Sequence, residues 1–336
     1  LDGLLHLNMR NPHMAFFNPK YVSNLRKKVE IKVDQLLDTI APLGSCNLVE
    51  SVSAELPMFT LCEMLGVPEA DRPKIIEWMK FLEMAQLIAA TQAVQNNDIS
   101  LTEEQSQAAP DPAMIEMFTN MINEMFSYGR YVLEERRKAP KDDLLSVIAN
   151  IEIDGEKLPN EYLDGSWLLI IFAGNDTTRN SISGTMNLLS ENQDQKELVL
   201  NDRSLISNMV HESIRVANPV SYMRRTTKVD TQIGDQKIGP NEKISLWYGA
   251  ANRDPEIFEN PDKYDIRREN AKKHLSFGYG RHLCLGKHTA NMQLEVVYEK
   301  IFERFPDMTQ SGDIVYTPNN FVNAIQELPV SFTPKK

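Results

Sequence analysis

The sequence predicts a mainly α protein with a small β portion late in the chain. Two long segments, Asn18–Ile40 and Leu158–Leu189, carry apolar residues at the spacing of an amphipathic helix. Later, β-branched and alternating residues at Met223–Ile233 and Lys243–Tyr248 are bounded by glycine turns and indicate short strands. A helical pattern returns at Cys284–Phe305, so the strands form a minor part of the fold.

The remaining elements follow from the same signals in chain order. The polar stretch Asn96–Pro112 ends in two prolines and predicts a loop. The further predicted helices are Ala54–Leu65, Glu69–Val94, Asp111–Arg137 and Ser204–Val216. With 336 residues, 42% of them hydrophobic, the chain can build one large domain or two ordinary ones.

Charge and composition exclude several classes of protein. The net charge of −11 disfavours a nucleic-acid partner. The longest strongly apolar run, Trp167–Ala173, is far shorter than the about 20 residues of a membrane span. Three cysteines are too few and too far apart for a disulfide framework or a zinc site, and the opening residues do not resemble a secretory signal. A cytoplasmic location is therefore expected.

Cys284 lies in the stretch FGYGRHLCLG, residues 277–286. Gly278 and Gly280 permit positive φ angles and a close approach of the backbone to a flat ligand. A helix beginning at the cysteine would direct backbone N–H groups at the sulfur and stabilise a thiolate. The pattern predicts a thiolate metal ligand, and a buried structural cysteine is the alternative.

The whole stretch matches the haem-binding signature of cytochromes P450, Phe-Gly-x-Gly-x-His-x-Cys-x-Gly, and the chain resembles that family. The resemblance implies the P450 fold as a single domain over residues 1–336, with haem b as cofactor and Cys284 as its axial thiolate. In this stretch it assigns haem contacts to Phe277, Gly278 and Gly286, and a propionate bond to His282. It also implies that the family's N-terminal part, with its first helices, is missing from the chain.

The resemblance assigns further haem contacts outside this stretch. Arg225 in YMRRTTKVD matches the family's propionate-binding arginine, with Arg224 as the alternative. Near the start of the chain, His6 and Arg10 match a haem-binding pair of the family. The two prolines that usually stand shortly before this histidine are replaced here by Gly3 and Leu4. A solvated His/Arg pair is the alternative there.

A structural ion pair is expected in HESIRV, where Glu212 and Arg215 are spaced i and i+3 on one helix face. Such a pair is usually solvated. The resemblance makes it the buried pair that braces the haem-binding loop, with Arg268 as the third member and Arg267 as the second choice.

Residues 173–178 read AGNDTT inside the long apolar helix, where polar residues of these types are unfavourable. One interpretation is a helix end capped by Gly174. The resemblance instead implies that Ala173 and Gly174 leave room for dioxygen beside the haem. It also implies that Asp176 and Thr177 form the catalytic acid–alcohol pair that delivers protons.

The resemblance implies a monooxygenase that inserts one oxygen atom of O2 into a C–H bond of a hydrophobic molecule. Several stretches, among them GNDTTRNSISG and HLSFGYGRHLC, are most similar to hydroxylases of the terminal carbon of medium-chain alkanes and fatty acids. Steroid or terpenoid hydroxylation and a non-catalytic haem protein are the alternatives. The candidate substrate-binding residues, which are also ordinary core types, are Leu169, Phe172, Ala173, Val220, Met223 and Phe321.

No reductase domain is recognisable in the chain, so we expect electrons to come from a ferredoxin and a ferredoxin reductase with NAD(P)H. The resemblance also leads us to expect a monomer. Residues 267–288 contain six basic side chains and one acid, Glu269, so that 6 − 1 = +5. We call the basic side chains the basic cluster; they are Arg267, Arg268, Lys272, Lys273, Arg281 and Lys287. An acidic ferredoxin is the hypothetical partner for this surface, and a solvated surface is the alternative.

Overall fold

The computed structural model describes residues 1–82, 84 and 112–335, and it is mainly helical with short antiparallel strands. This confirms the predicted fold class. The helices are α1 (Gly3–Phe16), α2 (Pro19–Ile40), α3 (Glu55–Leu65), α4 (72–82), α5 (Pro112–Lys138), α6 (Leu144–Ala149), α7 (Asn160–Glu191), α8 (Gln193–Asn201), α9 (Ile206–Ala217), α10 (Tyr248–Ala251) and α11 (Lys287–Arg304). None of the described helices is long and apolar enough to cross a membrane.

The strands pair in small antiparallel sheets. They are β1 (Ser45–Asn47), β2 (Glu152–Ile153), β3 (Glu156–Lys157), β4 (Tyr222–Thr226), β5 (Thr231–Ile233), β6 (Gln236–Ile238), β7 (Lys243–Trp247), β8 (Thr309–Gln310), β9 (Val315–Tyr316), β10 (Ile325–Glu327) and β11 (Pro329–Ser331). The described sheets have the strand orders β1-β11-β8, β10-β9, β2-β3, β4-β7 and β5-β6. Strands β1 and β11 are far apart in the sequence but pair in the same sheet, with Ser45 opposite Ser331.

The contacts of the chain group into two compact units. The first consists of Leu1–Gln35 and Ala54–Asp176, and the second of Leu36–Ser53 and Thr177–Lys336. Helix α7 passes from the first unit into the second between two consecutive residues, Asp176 and Thr177. The predicted single domain stays a prediction, and each unit is described by itself below.

Aromatic packing organises the first unit. The rings of Trp78 and Tyr128 lie 5.3 Å apart and those of Tyr128 and Trp167 lie 6.0 Å apart, so α4, α5 and α7 meet at this cluster. Gly129 must be a glycine, because a Cβ there would stand 2.8 Å from the Trp167 indole.

Helix α11 packs in the second unit beside the C-terminal half of α7. The buried hydroxyl of Tyr298 donates to the carbonyl of Ile182 (2.6 Å) and ties the two helices together. Within α7 the hydroxyls of Ser181 and Thr185 donate to the carbonyls one turn earlier, Thr177 (2.7 Å) and Ser181 (2.7 Å). These bonds satisfy polar groups in the C-terminal half of α7, which is largely buried.

The structure corrects several predicted boundaries. The strand predicted over Met223–Ile233 is two strands, β4 and β5, because the segment between them, residues 227–230, leaves the strand conformation and bends at 228–229. The last helix begins at Lys287 and not at Cys284, since a 3₁₀ turn, Gly280–His282, and a further turn precede it. The prediction for Glu69–Val94 is met in part by α4, and the rest of that segment and most of the predicted loop Asn96–Pro112 lie outside the described residues.

Candidate active site

Cys284 belongs to the cysteine loop, which we define as residues 274–286. Its N–H donates to the Phe277 carbonyl (2.8 Å), and the Gly278 N–H donates to the Leu275 carbonyl (2.7 Å). Gly278 and Gly280 have φ angles of 72° and 74°, a conformation that favours glycine. Cys284 is exposed, which contradicts the alternative of a buried structural cysteine. The loop therefore holds the backbone rigidly and presents the sulfur.

The other two cysteines have different surroundings. Cys62 on α3 is buried, and burial raises the pKa of its thiol to about 11. Burial also raises the pKa of the half-buried Cys46 thiol, although a bond from Ser51 opposes the shift. Both side chains therefore stay protonated at neutral pH and are poor thiolate ligands. Of the three cysteines, Cys284 has the surroundings suited to a metal ligand.

A buried set of charges, which we call the polar brace, consists of Glu212, Arg215 and Arg268. Arg215 donates to both carboxylate oxygens of Glu212, from Nε (2.7 Å) and Nη2 (2.8 Å). Arg268 Nε donates to Glu212 Oε1 (3.0 Å), so one carboxylate serves two guanidinium groups. The alternative third member, Arg267, is exposed. The structure thus brings together the three residues predicted as a support, and their role in bracing the haem-binding loop stays a prediction.

Asn252 connects the polar brace to the cysteine loop. Its carbonyl accepts from Arg215 Nη1 (2.7 Å), and its side-chain oxygen accepts from the N–H of Leu275 (2.7 Å). Its amide nitrogen donates to the hydroxyl of Ser276 (2.8 Å). Because Asn252 is fully buried, these bonds are shielded from water and fix the start of the loop.

A pair of histidines also lies between α9 and the cysteine loop. His211 Nδ1 lies 3.5 Å from His274 Nε2, and both residues are buried. Burial, together with the charges of Lys272 and Lys287, lowers the pKa of His211 to about 4. Burial also lowers the pKa of His274 to about 3. Both rings are therefore neutral near pH 7.

Strands β4 and β7 present an amphipathic face in the same unit. Their register places Met223 opposite Leu246 and Arg225 opposite Ile244. Met223 and Leu246 are 37% and 38% exposed, and Arg225 is half-buried. Strand alternation puts these side chains on one face. A cation beside exposed apolar side chains suits a flat apolar ligand that carries carboxylates.

Arg224 lies on the opposite face of β4 from Arg225, by the same alternation. Its Nη2 donates to the hydroxyl of Tyr222 (3.3 Å), and its guanidinium stacks 5.3 Å from the centroid of that ring. The alternative propionate ligand is therefore engaged with an aromatic ring on the other side of the strand.

Two of the predicted substrate-binding residues come together at the end of α9. Val220 forms an isolated antiparallel bridge with Val322, and the N–H of Ser221 donates to the carbonyl of Phe321 (2.8 Å). Phe321 also packs edge-on against Tyr222, with ring centroids 5.8 Å apart. Val220 is buried and Phe321 is half-buried, so the second of them has surface available for a ligand.

The AGNDTT segment lies inside α7, which is continuous from Asn160 to Glu191. The interpretation of a helix end capped at Gly174 is therefore wrong. Leu169 and Ala173 are exposed and, one turn apart, lie on one helix face, while Phe172 is half-buried beside them. Asp176 continues this face, since it follows Ala173 by three residues. The residues predicted for dioxygen and substrate thus form one stripe.

Gly174 also has a packing role, and the room predicted there for dioxygen stays a prediction. A Cβ at this position would stand 3.2 Å from Cδ1 of Leu61, so the glycine allows α3 and α7 to approach closely. Ala173 is exposed and keeps the role that the resemblance assigns to it as a prediction.

His6 and Arg10 lie one turn apart on α1 and are both half-buried. The i,i+4 spacing places both side chains on one face of the helix, as binding of a shared ligand requires. Each makes interactions of its own in the folded chain. Their assignment to the haem carboxylates stays a prediction, as do the assigned roles of the other site residues.

The architecture and the cysteine loop together match a known family. A protein-family model described as "Cytochrome P450" matches residues 8–332, nearly the whole chain. The chain belongs to the cytochrome P450 family. It is therefore a monooxygenase by family, and the P450 fold predicted from the cysteine signature is confirmed.

Relatives and solved structures support this assignment along the whole length. A steroid C26-monooxygenase from Mycobacterium tuberculosis is 32% identical over 99% of this chain and 85% of its own length. A methyl-branched lipid omega-hydroxylase from Mycobacterium bovis is 29% identical over 99% of this chain and 74% of its own length. The P450 CYP109E1 from Bacillus megaterium, solved with testosterone, superposes with a TM-score of 0.84 at 27% identity, over 99% of this chain and 85% of its own.

Cytochromes P450 carry haem b with an axial cysteine thiolate, and the residues of this P450 fit that group. The second unit offers an exposed thiol on a rigid loop, an arginine for a propionate and exposed apolar side chains for the porphyrin, namely Cys284, Arg225, Met223 and Leu246. No group of three or more His, Cys, Asp or Glu side chains for a metal ion occurs in the described part of the chain, and a haem iron does not require one from the protein.

Sequence reasoning missed two residues of this site. Asn252 links the polar brace to the loop, and Tyr248 places its hydroxyl against Gly278. Both lie in WYGAANRDP, where Tyr248 ends a predicted strand and Asn252 follows it. An uncharged polar side chain after a strand is ordinary in turns, so the local pattern gave no signal for a site residue.

Proposed function

We propose that this P450 hydroxylates the terminal carbon of alkanes or fatty acids. In the overall reaction one oxygen atom of O2 enters a C–H bond, and the other leaves as water with two electrons and two protons. The observation that carries the proposal of a haem-thiolate enzyme is the exposed Cys284 on its hydrogen-bonded loop. The lipid omega-hydroxylase among the relatives supports the choice of an alkyl chain as substrate.

The predicted pocket residues support a hydrocarbon ligand by their chemistry. Leu169 on α7 is 64% exposed, and Phe172 and Phe321 are half-buried, so each has apolar surface available for a ligand. None of the proposed wall residues carries a charge. Ligand pockets with few polar groups bind hydrocarbon surfaces by removing them from water.

Asp176 and Thr177 are the proposed proton-delivery pair. Haem b, when bound, supplies the activation of dioxygen and the one-electron chemistry. In this proposal protons pass from the Asp176 carboxyl to the Thr177 hydroxyl. Both residues are half-buried on α7, the helix that also carries the exposed stripe of residues predicted for dioxygen and substrate. Haem retention alone requires neither residue, so the intact pair favours turnover over a non-catalytic haem protein.

A steroid or terpenoid hydroxylase is the second candidate, because relatives are named steroid C26-monooxygenase and linalool 8-monooxygenase. Substrate titrations of the purified holoenzyme separate the candidates. A medium-chain alkane, a fatty acid, a sterol and linalool would be added in turn, and the change in the haem absorption band would be recorded. Products would then be identified after turnover with a ferredoxin, its reductase and NADH.

Tight binding and terminal alcohols from the alkyl substrates would support the proposal. Tighter binding and turnover of the sterol or linalool would replace it by the second candidate. Stoichiometric haem without product from any of these substrates, under conditions in which the ferredoxin reduces the iron, would favour the non-catalytic relative.

The basic cluster is the proposed docking surface for an acidic ferredoxin. Arg267, Lys272, Lys273 and Arg281 are exposed, whereas Arg268 is engaged in the polar brace. Lys287 is half-buried, with its ammonium 5.9 Å from the centroid of the Phe277 ring. Like charges grouped on one surface attract an oppositely charged partner over about 10 Å and raise the association rate.

Reversal of one charge tests this docking surface. Lys273→Glu should slow reduction by the ferredoxin severalfold at low salt and flatten its dependence on ionic strength. Lys237→Glu in the β5–β6 hairpin is the control, because it makes the same charge change outside the cluster. Equal reduction rates in both variants would remove the basic cluster from the docking proposal. The cytoplasmic location and the monomeric state stay predictions.

A further inference from the structure

Tyr248 occupies a fixed position between β7 and the cysteine loop. It begins α10, and its N–H donates to the carbonyl of Ser221 (3.0 Å) beside β4. Its carbonyl accepts from the N–H of Asn252 (2.8 Å), the residue that holds the loop. The tyrosine is only 7% exposed, so its ring is packed in place and its hydroxyl has a defined location.

The hydroxyl of Tyr248 lies directly against the cysteine loop. A Cβ built on Gly278 would stand 3.2 Å from this oxygen and 3.8 Å from the carbonyl of His282. Gly278 also has a φ angle of 72°, so a side chain there is unfavourable for two reasons. The first glycine of the P450 signature thus makes room for the hydroxyl of Tyr248.

Arg225 lies on β4, which pairs with β7, the strand that leads directly into Tyr248. Burial raises the pKa of Tyr248, and the positive charge of Arg225 opposes this shift. Arg225 lies on the face of β4 that carries exposed Met223. The hydroxyl therefore lies against the cysteine loop, and Arg225 on the neighbouring strand is a cation that acts on it.

We propose that the Tyr248 hydroxyl donates a hydrogen bond to the haem propionate that pairs with Arg225, and so positions the edge of the haem against the Gly278 turn. A carboxylate beside a guanidinium accepts further hydrogen bonds strongly, and a phenol is a good donor. The inference rests on the proposed role of Arg225. Tyr248 is a positioning residue, since it acts through the propionate and not on the substrate.

Tyr248→Phe tests this proposal because it keeps the ring and removes only the hydroxyl. Transfer of haem from the purified holoenzyme to excess apomyoglobin should become roughly tenfold faster or more, the effect of losing one hydrogen bond to a charged group. The midpoint potential of the haem iron should also shift, because a propionate that loses a hydrogen bond carries more negative charge near the iron. The carbon monoxide difference band should keep its thiolate position, since Cys284 is unchanged.

Tyr222→Phe is the matched control. Tyr222 is a tyrosine on β4, close to Tyr248 along the same sheet, but its hydroxyl accepts from Arg224 on the opposite face of β4 from Arg225. Its loss should leave haem transfer and the midpoint potential unchanged. Equal transfer rates for Tyr248→Phe and the parent protein would overturn the proposal, and so would equal acceleration in both tyrosine variants.

A double-mutant cycle with Arg225→Gln adds a readout that simple packing does not affect. If both side chains hold one propionate, their effects on haem transfer should be non-additive. Acceleration by Arg225→Gln alone would leave the proposed haem site intact and remove Tyr248 from it. A parent protein that binds no haem would instead overturn the proposed function, and with it this inference.

Discussion

The polar brace and the cysteine loop lie in the same unit, yet they are built in opposite ways. In the brace, Glu212 and Arg215 are fully buried and bonded to each other, to Arg268 and to backbone carbonyls. The loop instead exposes Cys284 and Tyr279, the latter by 84%, and depends on backbone bonds and two left-handed glycines. The brace therefore contains charges that are costly to leave unpaired, while the reactive group lies where its replacement should barely affect folding.

Cys284→Ser should give the largest functional effect and almost no structural one. We expect complete loss of the thiolate-type band in the carbon monoxide difference spectrum, because a hydroxyl does not replace a thiolate on iron. The free energy of unfolding of the haem-free chain should change by less than about 0.5 kcal/mol, since the residue is exposed. Urea titration followed by circular dichroism measures this value.

Cys62→Ser is the counterpart, because Cys62 is buried. It should keep the spectral band and lower the free energy of unfolding by about 1–3 kcal/mol through an unpaired buried hydroxyl. A reversed pattern, with the band lost in this variant and kept in Cys284→Ser, would assign the iron ligand to Cys62.

Arg215→Ala should produce the largest loss of stability. It leaves the carboxylate of Glu212 buried without its main partner, and breaking such a pair costs about 3–5 kcal/mol. Arg253→Ala is the control, since Arg253 pairs with an exposed Asp262 and donates one further bond to the carbonyl of Val216 (3.1 Å), and its loss should cost no more than about 1–2 kcal/mol. Similar urea midpoints for the two variants would show that the brace does not stabilise this unit.

The buried histidines predict a loss of stability in mild acid. His211 and His274 have ordinary pKa values of 6.5 when unfolded but about 4 and about 3 in the folded chain. Below pH 6.5 the unfolded chain therefore binds protons that the folded chain does not. The free energy of unfolding should fall with pH from about 6.5 down to about 4, by at most about 1.4 kcal/mol per pH unit for each histidine.

Urea titrations at pH 7 and pH 5 measure this loss. His211→Asn should reduce it by about 2 kcal/mol, since an amide does not titrate. His288→Asn, at an exposed position of α11, should leave the loss as it is in the parent protein. An unchanged loss in His211→Asn would assign the acid sensitivity to other groups.

Substitution of the two loop glycines should give the smallest losses of stability. Comparing the two variants separates the cost of the backbone conformation from the cost of the contact with Tyr248. Gly280→Ala should cost about 1–2 kcal/mol from its φ of 74° alone, because nothing lies within 4 Å of the added Cβ. Gly278→Ala should cost more, because its Cβ also meets the Tyr248 hydroxyl at 3.2 Å. Equal unfolding free energies for both variants would show that the hydroxyl moves away without cost.

Local patterns predicted the parts of this P450 that depend on neighbours in sequence. The two positive φ angles in the cysteine loop follow from glycines that nothing else would replace easily. The bond between Glu212 and Arg215 follows from i,i+3 spacing on a helix. The extent of α7 follows from its long apolar period.

Pairings between distant segments could not be predicted, because they leave no trace in a local window. The approach of Tyr248 to Gly278 depends on how β7 is placed against the loop. The role of Gly174 depends on Leu61, which belongs to another helix. The hydrophobic periodicity of a segment shows which of its faces is apolar. It does not show which other segment packs against that face, so these pairings are known only from the structure.

The bond from Tyr298 to the carbonyl of Ile182 has a consequence for hydrogen exchange. In an α-helix the same carbonyl accepts the amide of Met186, so that amide and the phenol share one oxygen. Solvent reaches the amide only after α7 and α11 separate, because both residues are buried. Deuterium uptake at Met186 should thus match complete opening of the second unit, whereas amides of the exposed β5–β6 hairpin should exchange through small local openings.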